Sequence, residues 1–396
     1  MIKRRLVTVQ GTAQMLDCVS CLQFLRELDS TETEDYLLIG SLCSSDENFV
    51  EAIIDSARIW NWKKILHLSW DMEEKWLKGI DTDRLDCIST VKNQFGISEV
   101  DECICCRNTQ PVNELAANFS PNSKFFVYGD IGVLDSILSP RYRKPDAAYL
   151  CFPIEYSYRI LDKIDYKVVP KKYFQRAIDL YIESSETICQ NQSSVNYLKH
   201  LAAENSLLFL TTWVINSVEK EADMYYKALL PYIERFKNVV VKLHPRRDKE
   251  KENVLDLLEE RLKSHSVNVF KFPKVLNYVP IEVIFRLAPF RSVHTFISGS
   301  CMTLKWLYGT EAYFVNRELL SEHARDFFKW IDLDWVETMT LIQKKIDTWN
   351  GVDILYRYPL SKSLKRKYGY VKAFAFSLPK RALSKLRKII RKDYEK

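Results

Sequence analysis

The sequence has no apolar run that approaches the length of a membrane span. Its first residues, MIKRRLVTVQG, lead directly into a predicted strand and contain no apolar signal-peptide segment. The ten cysteines show no disulfide framework, and no histidine lies at zinc-ligand spacing from Cys18 and Cys21 or from Cys103, Cys105 and Cys106. We therefore expect a cytoplasmic protein that has neither a membrane-spanning helix nor a structural zinc site.

The positive charge is concentrated at one end of the chain. The formal net charge is +6, yet the residues from Lys362 onward include 13 Lys/Arg and only 2 Asp/Glu. The remaining residues therefore contain more acids than bases, and this balance argues against nucleic-acid binding by the folded body.

The basic tail has the pattern of an amphipathic helix. Lysines and arginines surround four apolar residues that share one helical face after Pro379, namely Leu383, Leu386, Ile389 and Ile390. Such a helix suits an anionic membrane surface, which predicts peripheral attachment at the inner face of the membrane. The alternative is a C-terminal helix whose apolar face packs against the core.

Short apolar strands alternate with helical patterns in both halves of the chain. The alternation weakens between about residues 153 and 205 and then restarts. This pattern predicts an α/β fold of two Rossmann-like, doubly wound parallel-sheet domains that face a central cleft. We assign residues 1–165 and 205–360 to the two domains, 166–204 to a connector and 361–396 to the tail.

One stretch, VVVKLHPRRD, combines a buried strand with a cluster of cations. The β-branched run Val239–Val241 is typical of a strand that is buried on both faces of a parallel sheet. Lys242, His244, Pro245 and Arg246 follow where that strand should end. The carboxyl end of such a strand borders the ligand crevice of open α/β sheets, so the cations could hold a phosphate leaving group. The alternative is a solvated basic turn.

Two further segments of the second half place polar groups at helix starts. Glu282 follows Pro280, and a carboxylate there could accept the hydroxyls of a ribose or simply stabilise the helix N-terminus. Ser298 and Ser300, with Thr303 beyond them, lie between a predicted strand and a predicted helix. They could form a phosphate cradle or an ordinary helix cap.

In the first half, Asp130 follows an apolar strand and is flanked by Gly129 and Gly132. The glycines allow a sharp turn and the close approach of a ligand. Asp130 could be a general base for a sugar hydroxyl, or a turn residue that bonds its own backbone.

Together these segments resemble the bacterial sialyltransferase and alpha-2,8-polysialyltransferase families of GT-B architecture. Their signatures are an acidic-acidic-Gly motif, a His-Pro motif and a pair of adjacent hydroxyl residues. The opening LVTVQGTAQMLDCVSCLQFL also resembles their first strand and glutamine-bearing helix start, with Gln14 as the glutamine. The chain departs from the pattern in two places: Gly129 stands where the first acid is expected, and Gly299 separates the two serines.

The resemblance implies an inverting enzyme that moves sialic acid or a related acidic sugar from a CMP-sugar to a glycan or glycolipid acceptor. By this resemblance Asp130 is the base, and His244 is the acid or stabilises the leaving phosphate. The nucleotide and donor would be bound by Lys242, Pro245, Arg246, Glu282, Ser298, Ser300 and Thr303. The acceptor side would include Gln14, Gly129 and Gly132.

The resemblance implies neither a metal ion nor another cofactor. Asp81-Thr82-Asp83 and Asp332-Leu333-Asp334 match the short acidic motif of metal-dependent transferases, but neither follows a clean buried strand. Two other functions stay open at this point: a nucleotide-sugar epimerase, and a non-catalytic membrane-surface binding protein that retains the fold.

Overall fold

The computed structural model describes residues 2–41, 47–129, 142–155, 160–212, 217–244, 253–296, 298–315, 318–319 and 335–357. The strands in chain order are β1 Lys3–Val9, β2 Thr33–Ile39, β3 Lys64–His67, β4 Glu102–Cys105, β5 Lys124–Gly129, β6 Ala147–Leu150, β7 Ile154–Glu155, β8 Asp165–Val168, β9 Ser206–Leu210, β10 Asn238–Lys242, β11 Asn268–Lys271, β12 Ser292–Thr295, β13 Glu311–Phe314 and β14 Tyr356–Arg357. The helices are α1 Thr12–Leu28, α2 Glu47–Ser56, α3 Trp70–Lys78, α4 Asp81–Phe95, α5 Pro111–Phe119, α6 Lys171–Ser184, α7 Glu186–Gln190, α8 Gln192–Ala203, α9 Val218–Leu229, α10 Val254–Leu262, α11 Ile281–Leu287, α12 Ser300–Tyr308 and α13 Trp335–Ile346.

The strands form two parallel sheets, which confirms the predicted fold class. The first sheet has the order β3-β2-β1-β4-β5-β6-β8, and the second has the order β11-β10-β9-β12-β13. In each sheet, successive strands are added first on one side of the central strand and then on the other. This change of side, the switch point, lies between β1 and β4 in the first sheet and between β9 and β12 in the second. Doubly wound sheets bind ligands outside the carboxyl ends of the strands at such a switch point.

Both sheets are covered by helices on two faces. Val239 and Val241 of β10 belong to an apolar cluster with residues of α9 and α10. Val240 points the other way, into the largest cluster, which includes residues of α11 and α12 and continues through α6 to α1 and the first sheet. Alternate side chains of one strand therefore enter different cores, as a continuous apolar run predicts.

The chain divides between the domains differently from the prediction. The strand β8 pairs with β6, so the first sheet continues beyond residue 165, where we ended the first domain. Tyr356 of β14 pairs with Ile154 of β7, so the described chain returns to the first domain before residue 360. Both contacts are non-local pairings that strand patterns cannot reveal. The tail 361–396 lies outside the described residues.

The two domains meet near the carboxyl end of β1. The Thr12 hydroxyl at the start of α1 donates a hydrogen bond of 2.7 Å to the Tyr278 carbonyl of the second domain. The ring of Phe49 lies 6.0 Å from the Tyr278 ring, measured between centroids. Lys171 of α6 adds a bond to the carbonyl of Trp306. These contacts bring the carboxyl edge of the first sheet close to the second domain.

Candidate functional site

Lys242 ends β10 as a buried cation. Only 6% of the residue is exposed. Its ammonium donates to the backbone carbonyl of Asn277 and lies 5.3 Å from the centre of the Phe272 ring. Burial lowers the pKa of Lys242 to about 7, an effect that the negative charge of Glu282 partly opposes. Lys242 is therefore poised between its charged and neutral forms near neutral pH.

His244 is held by its backbone two residues beyond that strand. Its N–H donates to the Thr211 hydroxyl at 2.9 Å, and the Thr211 N–H donates to the Lys242 carbonyl at 3.1 Å. The side chain of His244 is half-buried. Pro245 and Arg246 lie outside the described residues. Thr211 was not predicted as a site residue, although its position just after β9 was a usable signal.

The strand register brings the histidine and serine segments to one edge. Lys242 pairs with Leu210, and Leu210 pairs with Thr295. These three residues lie side by side at the carboxyl ends of β10, β9 and β12. His244 and Ser298 follow within two and three residues of that line. The two predicted donor-binding segments therefore emerge from the same edge, next to the switch point of the second sheet.

Ser298 and Ser300 form a hydroxyl pair even though Gly299 separates them. The Ser298 hydroxyl donates to the Ser300 hydroxyl at 3.2 Å, and the Ser300 N–H donates to the Ser298 oxygen at 3.3 Å. The Ser298 N–H donates to the Thr295 hydroxyl at 2.7 Å, which fixes the turn to the strand end. Ser300 begins α12. The two hydroxyls therefore lie within hydrogen-bond distance of each other, even though the serines are not adjacent in the sequence.

Glu282 is buried against α12 rather than open to solvent. The residue is 5% exposed, and its Oε1 accepts a 2.6 Å hydrogen bond from the Thr303 hydroxyl of α12. Burial raises the pKa of Glu282, while the Thr303 bond and the charge of Lys242 oppose that shift. Among the described residues, nothing bonds to its Oε2. Lys242, Glu282 and Thr303 therefore interact electrostatically across the strand ends.

Two of the acceptor-side predictions, Gln14 and Gly129, lie at the carboxyl edge of the first sheet. Gln14 is half-buried in the first turn of α1, where its Oε1 accepts a 2.9 Å bond from the Gln10 N–H. Gly129 ends β5 with a φ of 137°, a conformation that favours glycine. Asp130 and Gly132 lie outside the described residues.

The acidic motifs do not form a metal site in the part of the chain that can be described. The Asp81 side chain is 98% exposed, and Asp83 caps the backbone N–H of Ile80 at the start of α4. Asp332 and Asp334 lie outside the described residues. Within those residues no group of three His, Cys, Asp or Glu side chains is arranged to hold a metal ion, and no helix is long and apolar enough to cross a bilayer.

A comparison with known protein families shows to which family this chain belongs. The model of the alpha-2,8-polysialyltransferase family matches residues 118–317, which is half of the chain and includes β10, β12 and the serine pair. The chain belongs to the alpha-2,8-polysialyltransferase family. It is therefore a glycosyltransferase, as the resemblance predicted, and the family implies a nucleotide-sugar donor and a glycan acceptor. No curated protein matches the chain.

Solved structures of similar fold include epimerases and transferases. A putative UDP-N-acetylglucosamine 2-epimerase from Listeria monocytogenes is 12% identical, with a TM-score of 0.49 over 91% of this chain and 100% of that one. A family 9 glycosyl transferase from Veillonella parvula is 13% identical, with a TM-score of 0.41 over 80% and 83% of the two chains. The E. coli heptosyltransferase WaaC with ADP is 12% identical, with a TM-score of 0.40 over 78% and 86%.

Proposed function

We propose that this glycosyltransferase moves sialic acid, or a related acidic sugar, from a CMP-sugar to a glycan acceptor with inversion and without a metal ion. The observation that carries the proposal is the shared edge of the second sheet. There the segment of Lys242 and His244 and the hydroxyl pair of Ser298 and Ser300 emerge from the same edge, on either side of β9. A cluster of cations, hydroxyls and a helix start suits the single phosphate of CMP.

In the proposed reaction Asp130 removes the proton from the acceptor hydroxyl. The hydroxyl oxygen then bonds to the anomeric carbon from the face opposite CMP. The bond between that carbon and the phosphate oxygen breaks, and its electron pair leaves with CMP. The transition state resembles an oxocarbenium ion, as in glycoside hydrolysis. This one-step displacement inverts the anomeric carbon.

The second-domain groups act on the leaving phosphate. Protonated His244 donates a hydrogen bond to the departing oxygen, and the Lys242 ammonium adds positive charge behind it. Ser300 and the first turn of α12 bind the other phosphate oxygens. These donors replace the charge that a divalent ion supplies in other transferases. Buried Glu282 acts behind these groups, where its charge faces Lys242 and its Oε1 accepts a hydrogen bond from the Thr303 hydroxyl of α12.

The donor class can be tested by hydrolysis without an acceptor. CMP release from CMP-sialic acid and from CMP-Kdo would be measured with EDTA present, for the wild type, His244→Ala and Ser300→Ala. We expect metal-independent release that falls about 100-fold in His244→Ala, because a preorganised donor to the leaving group is lost. The matched control is His200→Ala, since the His200 side chain is 75% exposed on α8.

A different result would refute each part of the proposal separately. Absence of turnover with both donors, together with no CMP binding by calorimetry, would refute the CMP-sugar class. Turnover that requires a divalent ion would refute the metal-independent mechanism. Equal rates for His244→Ala and the control would remove His244 from the mechanism while leaving the donor class intact.

We also propose that the basic tail attaches the enzyme to an anionic membrane surface, next to lipid-linked or nascent surface glycans. The support is the excess of 13 Lys/Arg over 2 Asp/Glu from Lys362 onward and the apolar stripe within it.

A further inference from the structure

The hydroxyl of Thr211 accepts a hydrogen bond at the point where the chain of His244 leaves the second sheet. Lys242 pairs with Leu210, so a parallel ladder that continued would give the His244 N–H to the Thr211 carbonyl. The N–H donates instead to the Thr211 hydroxyl at 2.9 Å, while the Thr211 N–H keeps its ladder bond of 3.1 Å to the Lys242 carbonyl. A side-chain oxygen therefore determines where the backbone of His244 turns away from β9.

The backbone of His244 is restricted from both sides. Its N–H is held by Thr211, and Pro245 follows it in the sequence, which confines the residue before it to extended backbone. The rotamers open to a side chain depend on its backbone angles. The two restrictions therefore narrow the directions in which the imidazole can leave the chain. His244 is half-buried, so part of the residue is accessible to a ligand.

The neighbouring strand end holds its own segment in the same way. The Thr295 hydroxyl accepts the 2.7 Å hydrogen bond from the Ser298 N–H. Because Leu210 pairs with Thr295, the two threonines lie on adjacent strands and one residue apart in register. Thr211 is 5% exposed and Thr295 is 0% exposed. Each of the two proposed donor-binding segments is therefore tied to the sheet by a buried threonine hydroxyl.

The turn that contains Thr211 is itself held by two buried polar residues of α9. The Tyr225 hydroxyl accepts a 2.9 Å hydrogen bond from the Thr212 N–H and donates to the Glu221 Oε1 at 2.5 Å. Tyr225 is 0% exposed and Glu221 is 1% exposed. Burying a phenol and a carboxylate is costly unless they are hydrogen-bonded, and bonded polar networks rigidify the segment that they hold. The network therefore fixes the residue next to Thr211.

We propose that Thr211 is a positioning residue for His244, and that Tyr225 and Glu221 hold the turn on which Thr211 lies. The Thr211 hydroxyl holds the His244 N–H and so aims the imidazole at the leaving phosphate of the donor. Thr211 itself contacts neither the donor nor the acceptor. This inference rests on the proposed function, because it gives His244 the same role. It extends that function from the groups that contact the phosphate to the buried residues that position them.

Conservative variants separate the hydroxyl of Thr211 from the rest of its side chain. Thr211→Val keeps the shape and removes the acceptor, whereas Thr211→Ser keeps the acceptor. In CMP-sugar hydrolysis by the full chain, we expect kcat to fall about 10-fold in Thr211→Val while KM changes by less than about twofold, because a displaced imidazole affects the transition state more than donor binding. Thr211→Ser should restore most of the rate, and Tyr225→Phe should cause a smaller fall. The matched control is Thr8→Val, since Thr8 is a buried threonine of β1 whose hydroxyl bonds to Asn113.

A double-mutant cycle tests whether Thr211 acts through His244. The imidazole is absent from His244→Ala, so adding Thr211→Val to that variant should lower the rate no further. A general structural role would instead lower the rate by the same factor in both backgrounds.

The imidazole can also be observed without any donor. The ring carbon–proton NMR signal of His244 is assigned by its absence from the spectrum of His244→Ala. We expect this signal to shift in Thr211→Val and to keep its wild-type position in Thr211→Ser and Thr8→Val, because only the first variant removes the acceptor of the His244 N–H.

The outcomes distinguish this inference from the proposed function. A His244 signal that is the same in Thr211→Val and the wild type overturns the inference, even if CMP-sugar hydrolysis is intact. Additive losses in the double variant overturn it as well, and so does a Thr211→Ser variant as slow as Thr211→Val. If the wild type turns over no CMP-sugar but the His244 signal depends on the Thr211 hydroxyl, the donor class is refuted and the positioning of His244 by Thr211 stands.

Discussion

At the scale of single residues, the burial of Lys242 predicts how the catalytic rate should depend on pH. Its pKa of about 7 means that the ammonium is present below that pH and is lost above it. We expect the rate of CMP-sugar turnover to decline as the pH rises through 7, because the leaving phosphate loses a nearby positive charge. Lys242→Met should be slower at low pH and should lack this decline, as measured by initial rates from pH 6 to 9. An identical decline in the variant would assign it to another group.

His294 shows how a buried histidine can affect stability instead. It lies in β12 with 0% exposure, between the rings of Phe209 and Tyr232, at centroid distances of 5.2 and 5.3 Å. Neither ring nitrogen has a hydrogen-bond partner among the described residues. Burial lowers the pKa of His294 to about 3, so the folded protein keeps the imidazole neutral.

The buried imidazole should make the protein sensitive to acid. The unfolded chain gains a proton on His294 below pH ~6.5, whereas the folded chain does not until about pH 3, so stability falls as the pH drops between these values. We expect His294→Leu to lose ~2 kcal/mol less of its unfolding free energy than the wild type between pH 7.5 and 5.0. Urea unfolding at both pH values measures this difference. His200→Leu controls for removal of an exposed histidine, and equal losses in wild type and His294→Leu would contradict the assignment.

Residue patterns revealed part of the candidate site and missed the rest for physical reasons. The Val239–Val241 run predicted the buried strand and therefore the position of Lys242 and His244, because β-branched runs favour buried parallel strands. The burial of Glu282 under Thr303 was not predictable, since it depends on how two helices pack.

At the scale of secondary-structure elements, the two ends of α12 have different roles. Its start holds the serine pair, and its end is set by Gly309, which has a φ of 68°. Left-handed backbone at the end of a helix favours glycine, so Gly309 is a local signal for where α12 ends. The helix starts at Ser300, so Ser300 and Thr303 lie within its first turn and not, as the sequence pattern predicted, in the connection before it.

Replacing Gly309 tests the end of the helix by itself. A Cβ at this position would meet no atom within 4 Å, so the cost of Gly309→Ala is purely conformational, about 1–2 kcal/mol. The control is Gly11→Ala, whose backbone is extended at a φ of −177° and whose Cβ would lie 3.9 Å from the Phe49 ring. Chemical unfolding should show a loss for the first variant and little change for the second. Similar losses for both would mean that the backbone conformation is not the cause.

At the scale of the whole molecule, each of the two parallel sheets has one switch point beside its central strand. A polar residue follows the central strand of each sheet, Gln10 after β1 and Thr211 after β9, and the Thr12–Tyr278 hydrogen bond joins the two domains near these positions. The alternation of strands and helices was sufficient to predict two such sheets, because parallel strands need helical crossovers. It could not predict that β14 returns to the first domain, since the pairing joins residues that lie about half of the chain apart.

The distribution of charge predicts separate roles for the two parts of the chain: the folded body catalyses the reaction, and the basic tail binds the membrane. Each Lys or Arg near an anionic surface contributes roughly 1 kcal/mol of attraction, and apolar residues add insertion into the lipid boundary. We expect the full chain to cosediment with vesicles that contain phosphatidylglycerol and not with vesicles of phosphatidylcholine alone. The double variant Leu386→Glu and Ile390→Glu should lose vesicle binding yet keep wild-type turnover of a free CMP-sugar. Salt should weaken the wild-type association, because exposed charges are screened. If the double variant still binds, or if it loses turnover along with binding, the tail helix packs against the enzyme core instead of the membrane.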